Sequence, residues 1–434
     1  MKIGFLTISV PGHLHPFTAL ARRVQARGHN VAMIGFVDGE PLVRAAKLPF
    51  IPFCEQEHPA GAMREVVDQL SKLKGREAVE FTFNAFAQFL DTELKHLPSV
   101  IKENRIDALV IDQSHEGLEL VPMHMGIPYV HYSAAMHFDF TGNTPLCIFG
   151  WQHENTPEAQ ARNREGVKNF AAMRAPLLEV IRAYAHQAGL TLDWEDPLAR
   201  ISKLAWLTQT PKEFDFKSSH WPSQFHYTGP AHDGLGRIEL DFPWDRLTGE
   251  PLIYASMGTL QNGLESVFTT IAEAIGKRPG TQIVMSVGPI LDVAQIKSLP
   301  KNAIVVDSAP QIDILKRSTL CITHAGLNTA LESLAQGVPM VAIPVTNDQP
   351  GVAARIVYSK TGLALPLPEL TTPKLASLID EVLTNGIYRN NAQAMKRAIA
   401  KTNGLEKAVD LLEEVFQLSR ETFAGTPTSY TAGR

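Results

Sequence analysis

The chain has 434 residues, of which 44% are hydrophobic and 20% charged, and its formal net charge is −5. One ordinary hydrophobic core cannot serve a chain of this length, so two or three domains are expected. The slight excess of acidic residues disfavours a nucleic acid as partner, because proteins that bind nucleic acids usually present a basic surface. The three cysteines are widely spaced and no apolar run is long enough to cross a membrane, which favours a cytoplasmic location.

Buried strands and amphipathic helices alternate from the first residues. Residues 2–8 form a near-continuous apolar run of the kind found in parallel strands. A Pro-Gly-His loop follows, and then a helix that ends at Gly28. Further strands are predicted over 31–35, 108–111 and 127–131. This rhythm is typical of βαβ units around a parallel sheet.

Prolines and glycines crowd the residues from about 210 to 250, which indicates a connection between two domains. The rhythm then restarts, with a helix predicted over about 264–275 and a helical stretch over about 391–418. The sequence therefore predicts an α/β fold in which two doubly wound, Rossmann-like domains face a cleft. The predicted strands of the second half are 252–256, 282–286, 303–306, 320–323 and 338–343. The predicted divisions are an N-terminal domain at 1–228, a linker at 229–250, a C-terminal domain at 251–418 and a tail at 419–434.

Several motifs with well-understood chemistry are absent from the sequence. Neither half has G-x-G-x-x-G after its first strand, and there is no G-x-x-x-x-G-K-[ST], which disfavours a dehydrogenase and P-loop chemistry. There is no H-E-x-x-H and no D-x-D that would hold a metal against a sugar diphosphate. His13 and His15 could chelate a metal, but no third ligand accompanies them, so no metal and no cofactor are expected.

A small-residue turn joins a buried strand to a helix in the second half. The strand ends at Thr323, and the helix begins near Asn328. Free N–H groups and the positive end of the helix dipole make such a turn an anion site. Glu332, one turn later, could accept hydrogen bonds from ribose hydroxyls. Asp348 and Gln349 follow the next strand, and together they offer the acceptors and donors that sugar hydroxyls need.

The spacing of these residues resembles the donor-binding signature of the family 1 nucleotide-sugar glycosyltransferases, which have the GT-B fold. The residues that match it are Pro310-Gln311, His324-Ala325-Gly326, Asn328-Thr329, Glu332, Gly337-Val338-Pro339 and Asp348-Gln349.

The resemblance implies a role for each donor-site position. The donor would be a nucleotide sugar used as co-substrate, and Gly12 is counted among the residues that bind it. Ser308 stands where plant members have a tryptophan that stacks on the base, so the base is left open between uracil and thymine. By this resemblance the diphosphate is bound by His324, Gly326, Asn328 and Thr329, and Thr259 makes a second phosphate contact. Glu332 binds the ribose, and Ala309 and Gln311 lie close to the base and ribose. Asp348 and Gln349 bind the sugar.

A candidate catalytic pair lies in the first half. Sugar transfer to a hydroxyl removes a proton, and histidine is the natural base at neutral pH. His13 lies in Gly12-His13-x-x-Pro16, expected on the loop after the first strand, and Asp112 ends a strand of the same sheet. A lone loop histidine is more often structural, and His15 and His115 are nearby competitors. In the family that the donor site resembles, this motif carries the base, which implies an inverting, metal-independent displacement with His13 as base and Asp112 as its partner.

The acceptor is the least determined partner. Four further segments resemble bacterial zeaxanthin glucosyltransferases, which favours UDP-glucose as donor and a terpenoid, carotenoid or polyphenol hydroxyl as acceptor, as in natural product glycosylation. Aromatic residues crowd two segments of the first half, where core packing is the commoner explanation and an apolar acceptor pocket the alternative. The acceptor candidates are Phe86, His131, His137 and Phe138, and the resembling segments are 110–113, 225–230, 255–261 and 348–358.

Two other functions stay open at this point. One is a GT-B nucleotide-sugar epimerase, and the other is a non-catalytic sugar-nucleotide-binding module. A monomer or weak dimer without a transmembrane segment is expected, and peripheral membrane contact is left open.

Overall fold

The computed structural model describes residues 1–218, 220–258, 265–276, 278–288, 291, 296 and 298–418. The described residues form two parallel β-sheets, each flanked by helices, and the two sheets come from the two halves of the chain. The α/β fold class and the pair of Rossmann-like units are therefore confirmed. No helix among the described residues combines the length and the apolar character needed to cross a membrane.

The N-terminal sheet has seven strands in the order β3-β2-β1-β4-β5-β6-β7, all parallel. Its central strands are buried along nearly their whole length, as an apolar run in a doubly covered sheet requires. The strands are β1 (Lys2–Leu6), β2 (Asn30–Gly35), β3 (Phe50–Pro52), β4 (Ala108–Asp112), β5 (Tyr129–Ser133), β6 (Trp206–Thr208) and β7 (Phe225–Tyr227). The helices of this half are α1 (Pro11–Ala26), α2 (Glu40–Ala45), α3 (Ala62–Leu70), α4 (Gly75–Glu103), α5 (Leu120–Met125), α6 (Pro157–Met173) and α7 (Ala175–Gln187).

The C-terminal sheet has six parallel strands in the order β10-β9-β8-β11-β12-β13. Its strands are β8 (Leu252–Ser256), β9 (Gln282–Ser286), β10 (Ile304–Val306), β11 (Ser318–Thr323), β12 (Met340–Ala342) and β13 (Gly362–Ala364). The remaining helices are α8 (Glu265–Gly276), α9 (Gln311–Leu315), α10 (Leu327–Gln336), α11 (Gln349–Tyr358), α12 (Thr372–Thr384), α13 (Gly386–Thr402) and α14 (Gly404–Val415).

The first turn of α1 corrects the prediction that His13 lies on a loop. The helix begins at Pro11, so Gly12 and His13 are already helical. Proline favours the first helical position because its φ is preset and its missing N–H would have no partner there. His13 is therefore held by a rigid helix end and not by a loop.

The helical stretch predicted over 391–418 is two helices. Asn403 adopts a left-handed conformation with φ of 47° and ends α13. Gly404 then packs so tightly that a Cβ atom there would lie 2.7 Å from the carbonyl oxygen of Gly229. After this break α14 crosses to the first half and packs its apolar face into the core beside α1. The predicted domain divisions stay a prediction, and this helix packs with residues of the first division although it lies in the third.

Candidate active site

The carboxyl ends of β1 and β4 bring His13 and Asp112 together. Nδ1 of His13 lies 2.7 Å from Oδ2 of Asp112, whose side chain is fully buried. Thr7 donates to the same oxygen over 2.6 Å, and the Ser114 amide donates to the other oxygen over 3.0 Å. Because an ionised carboxylate can only accept, the proton of a neutral imidazole lies on Nδ1. Nε2 of His13 is then the basic nitrogen.

The pKa of His13 is raised above its usual value. Burial opposes the charged imidazolium, but the charge and hydrogen bond of Asp112, followed by the charge of Asp348, outweigh it. Burial also opposes the ionised form of Asp112, but His13 and the hydrogen bonds from Thr7 and Ser114 hold its pKa below the usual value. The pair is thus arranged to stabilise the cation that forms when His13 accepts a proton.

Asp348, in the C-terminal half, contacts the N-terminal half through a backbone amide. Its Oδ2 accepts a hydrogen bond from the Met136 amide over 3.0 Å, and burial raises its pKa. The neighbouring Gln349 uses its side-chain oxygen to accept from the amides of Val345 and Thr346 over 2.9 and 3.1 Å. The carboxylate that the resemblance assigns to the sugar therefore interacts by charge with the predicted base.

His324 lies beneath the N-terminus of α10, between two glycines. A Cβ atom on either Gly258 or Gly326 would lie 2.4 Å from its Nε2, so both positions must lack a side chain. Its Nδ1 is buried and has no hydrogen-bond partner within the described residues. Burial lowers the pKa of His324 to about 4, so the imidazole is neutral at neutral pH. It can donate a hydrogen bond to a diphosphate without carrying a charge of its own.

Glu332 lies one turn into α10 and is almost fully buried. Its Oε2 accepts from Nε2 of Gln311 over 2.7 Å, and its Oε1 is paired with the guanidinium of Arg237. Gln311 also receives a hydrogen bond from the Tyr254 hydroxyl over 3.1 Å, and its amide lies 3.4 Å from Oγ1 of Thr329. These contacts bring three predicted donor-site residues together. Arg237, from the linker, was not predicted.

Asn328 connects the two halves across the cleft. Its Nδ2 donates to the carbonyl of Gly12 over 2.5 Å, and its Oδ1 accepts from Gln209 over 2.8 Å. The Gly12 carbonyl is available because Pro16, four residues later in α1, has no N–H to donate to it. The predicted donor-site residues Gly12 and Asn328 are therefore in direct contact.

For two predicted donor-site residues the structure gives little information about donor binding. Ala309 is partly buried against the core of the C-terminal sheet. Thr259 lies outside the described residues, so its predicted phosphate contact stays a prediction.

The acceptor candidates lie in different surroundings. His131 is buried in β5 and accepts from the Ser202 amide over 3.1 Å, and burial lowers its pKa to about 3. His137 is buried with Nε2 3.0 Å from Asp215 Oδ2. Phe138 stacks on Phe140 with ring centroids 5.5 Å apart. These contacts are those of packed interior side chains, and the assignment of the three residues to an acceptor stays a prediction.

Phe86 is the acceptor candidate that borders a cavity. The cavity has a volume of about 20 Å³ and lies above the carboxyl ends of β1 and β2, under α4. Its wall also contains Thr7, which bonds Asp112, and His115, whose amide donates to the Asp112 carbonyl over 2.9 Å. Phe86 is therefore one residue layer away from the predicted catalytic pair.

Sequence reasoning missed the residues that act over long distances along the chain. Arg237 lies in a stretch without periodicity, Gln209 follows a short strand, and the Met136 contact uses a backbone amide. None of these positions carries a local pattern that would single it out. Thr7 was also missed, although a hydroxyl directly after β1, in the segment that leads to the base, is a local signal that could have identified it.

Comparison with known proteins agrees with this geometry. Residues 247–415 match the model of the family described as UDP-glucoronosyl and UDP-glucosyl transferase. The chain is 27% identical over 431 residues to the zeaxanthin glucosyltransferase of Pantoea ananas, covering 97% of this chain and 98% of that protein.

Solved structures share the fold over nearly the whole chain. The glycotransferase of kitacinnamycin superposes with a TM-score of 0.75 at 22% identity, covering 95% of this chain and 98% of that one. The glycosyltransferase VinC in complex with DTDP gives a TM-score of 0.66 at 16% identity, covering 96% and 100%. The family match, the full-length relative and the shared two-sheet architecture together lead to one conclusion: residues 247–415 match the UDP-glucoronosyl and UDP-glucosyl transferase family, and the chain is similar over nearly its whole length to glycosyltransferases and has the GT-B fold.

Proposed function

We propose that the protein transfers a sugar from a nucleoside diphosphate sugar to a hydroxyl of an apolar small molecule, in one inverting step that needs no metal. His13 is the base, and Asp112 orients it. The observation that carries the proposal is the buried 2.7 Å contact between His13 Nδ1 and Asp112 Oδ2. The charge of Asp348, in the other half, also favours the protonated imidazole and raises the pKa of His13.

The proposed step moves one proton and one pair of bonding electrons. Nε2 of His13 takes the proton of the acceptor hydroxyl while the oxygen attacks the anomeric carbon. The bond between that carbon and the diphosphate oxygen breaks, and its electron pair leaves with the diphosphate. Asp112 and Asp348 stabilise the imidazolium that results.

In this proposal the C-terminal half stabilises the negative charge of the diphosphate leaving group. The N-terminus of α10 offers free N–H groups and a positive dipole end, and neutral His324 adds a hydrogen-bond donor. Glu332, held by Gln311, is suited to ribose hydroxyls, and Asp348 and Gln349 are suited to the sugar. A metal would duplicate the role that the helix end and His324 fill in this proposal.

The similar proteins suggest the substrates to try first. A relative named for zeaxanthin glucosylation supports glucose as the sugar and a terpenoid, carotenoid or polyphenol hydroxyl as acceptor. A structural neighbour solved with DTDP, together with Ser308 in place of a stacking tryptophan, keeps the thymidine nucleotide as a second donor. We propose UDP-glucose as the principal donor.

The direct test is transfer itself. The purified protein, with and without a metal chelator, is incubated with UDP- or TDP-glucose and with carotenoid, flavonoid and sterol acceptors, and products are identified by mass spectrometry. Proton NMR of the product reports the anomeric configuration. We expect a β-glucoside from the α-linked donor, unaffected by the chelator.

The matched control is His13→Ala. It should bind the nucleotide as the unchanged protein does and lose transfer by about 100-fold to 10,000-fold, the usual contribution of a positioned base. Retained transfer in this variant would overturn the assignment of the base. Turnover of the nucleotide sugar without any acceptor would instead favour an epimerase.

A further inference from the structure

Helix α11 packs on the N-terminal half of the chain, although it belongs to the C-terminal half. Asp348, its N-cap, accepts a hydrogen bond from the Met136 amide over 3.0 Å. One turn later the Gly351 amide donates to the Cys147 carbonyl over 2.7 Å. A Cβ atom on Gly351 would lie 2.5 Å from the Cα atom of Cys147, so the two backbones are in direct contact. The first turn of α11 therefore rests on the segment 136–147.

Arg355 makes a third contact along the same helix. Its Nε donates to Oδ1 of Asp215 over 2.7 Å, and its guanidinium lies over the Phe216 ring, 4.2 Å from the ring centre. Positions 348, 351 and 355 are three and four residues apart, so the three contacts come from one face of α11. Arg355 thus lies two turns from Asp348 on the face that meets the N-terminal half.

The ion pair of Arg355 and Asp215 is buried on both sides, since each side chain is 2% exposed. Oδ2 of Asp215 accepts from the Tyr227 hydroxyl over 2.7 Å and lies 3.0 Å from Nε2 of His137. Burial opposes the ionised form of Asp215, but the charge of Arg355, followed by that of His137, holds its pKa below the usual value. Moving Arg355 away would leave a buried charge without its main partner, which is costly.

The arrangement that this ion pair fixes matters for the predicted base. Three charged or titratable groups act on His13: Asp112 and Asp348 raise its pKa, and His115 lowers it. Asp112 and His115 belong to the N-terminal half, as His13 does, so their effects need no second half. Asp348 is carried by α11, and its effect on His13 depends on how the two halves are placed against each other.

We propose that Arg355 is a positioning residue for the sugar transfer, which fixes α11 on the N-terminal half through Asp215 and so holds the charge of Asp348 where it acts on His13. The inference rests on the proposed function. Arg355 acts through its helix on Asp348, and Asp348 acts by charge on the imidazole.

The test is the pH profile of kcat/KM in Arg355→Met, which keeps an unbranched apolar side chain and removes the charge. The rising limb should move to lower pH, because His13 loses part of the negative charge that favours its protonated form. The move should be smaller than the one caused by Asp112→Asn, since Asp112 contributes more. A displaced Asp348 should also lower kcat by up to about 100-fold, as a misplacement of about 1 Å can.

Arg27→Met is the matched control. Arg27 also joins distant segments, through Asp410 and Glu413 of α14, but it lies at the end of α1 opposite to His13. This variant should lose stability in denaturant unfolding and keep the pH profile of the unchanged protein. A limb that moves equally in both variants, or in neither, would overturn the proposal.

A double variant tests whether Arg355 acts through Asp348. Asp348→Asn alone should move the limb to lower pH, and adding Arg355→Met should move it no further. A further move in the double variant would contradict an effect through Asp348.

If Arg355→Met does not fold, Arg355→Lys decides. Lysine keeps the charge but lacks the planar fork of the guanidinium, so Asp215 stays paired while α11 is held less firmly. The limb should then move in the same direction by a smaller step, and an unmoved limb would refute the proposal. Failure of the proposed function is a different result, because the unchanged protein would then transfer no sugar to any acceptor.

Discussion

At the scale of single residues, the charges of two carboxylates act on the predicted base. Asp112 holds Nδ1 of His13 from within the N-terminal sheet, and the charge of Asp348, in the other half, also acts on the imidazole. Both raise the pKa of His13, which favours proton uptake during the reaction but also keeps the resting base protonated at low pH. Activity should therefore depend on pH in a direction that the geometry fixes.

Transfer should rise with pH through the raised pKa of His13, because only the neutral imidazole accepts a proton. Asp112→Asn removes the larger favourable charge and leaves the burial that lowers the pKa. The rising limb of kcat/KM should then move to lower pH, while kcat falls by about 10,000-fold or somewhat less because the tautomer is no longer fixed.

The pH profile of kcat/KM measures both effects. Asp91→Asn is a matched control, since Asp91 is exposed on α4 and pairs only with Lys95 in the contacts described for it. This control should reproduce the unchanged profile. A limb that stays in place in Asp112→Asn would contradict the assigned pair.

His324 permits a second test at this scale. Its pKa is about 4 because it is buried, and a bound diphosphate beside it would favour the charged form and raise that pKa. Binding of UDP-glucose near pH 5 should therefore take up protons. Calorimetry in two buffers of different ionisation enthalpy measures this uptake.

The control for that experiment is His324→Gln, which has no proton to gain and should bind with weaker affinity. The difference in proton uptake between the two proteins isolates the histidine from other titrating groups. Equal uptake would place the diphosphate away from His324.

At the scale of elements, the structure explains the spacing of the G-H-x-x-P motif. Pro16 is four residues after Gly12, so the helix cannot use the Gly12 carbonyl and Asn328 can. The proline thus serves a contact between α1 and α10 across the cleft. Asn328 in turn lies in the first turn of the helix whose N-terminus is proposed to hold the diphosphate.

Replacing Pro16 should raise the stability of the protein and lower its activity. Pro16→Ala returns an N–H to the Gly12 carbonyl and should stabilise the protein by up to about 3 kcal/mol, measured by denaturant unfolding. The same N–H competes with Asn328, so kcat should fall, as it should in Asn328→Ala.

Pro98→Ala is the matched control, because Pro98 is also internal to a helix, α4, and has no described contact with the cleft. It should gain stability with unchanged kcat. If Pro16→Ala also kept its full kcat, the contact between Gly12 and Asn328 would have no role in the reaction.

Much of this element-level structure could be predicted from the sequence. The strands at 252–256 and 282–286 were predicted with the bounds that the structure has, because each is a continuous apolar run with clear ends. The start of α1 and the break at Asn403 were not placed. Pro11 is itself a sequence signal for a first helical position, and it was overlooked. The break at Asn403 depends on tight backbone packing at Gly404, which only the folded chain reveals.

At the scale of the whole molecule, α14 ties the end of the described chain to its beginning. Its buried face includes Leu412 and packs into the core of the N-terminal sheet. Arg27, the residue directly after α1, donates hydrogen bonds to Asp410 and Glu413 over 2.6 and 2.8 Å. The second half therefore completes the core of the first.

Shortening the Leu412 side chain should lower the stability of the protein and leave the donor site intact. Leu412→Ala removes a fully buried side chain and should lower the free energy of unfolding by about 2–5 kcal/mol, with an unchanged KM for the nucleotide sugar. Ile387→Ala, at a position 40% exposed, is the control and should cost far less. Similar losses in both variants, by denaturant unfolding, would contradict the packing described.

The two doubly wound halves and the chemistry of the donor site were accessible from the sequence, because strand ends and helix starts bring local residues together. The partners of Glu332, Asn328 and Asp348 were not, because Arg237, Gln209 and Met136 reach them only through the arrangement of the two halves. The position of α14 was hidden for the same reason, since its amphipathic pattern does not say which core it covers.

The central claim is that His13 removes the acceptor proton, and an acceptor that has already lost its proton tests it most directly. Transfer by His13→Ala is measured with an aliphatic alcohol and with para-nitrophenol, assayed above its pKa as the phenolate. The account predicts a loss of about 100-fold or more with the alcohol and little loss with the phenolate, which needs no base. Equal losses with both acceptors would contradict it.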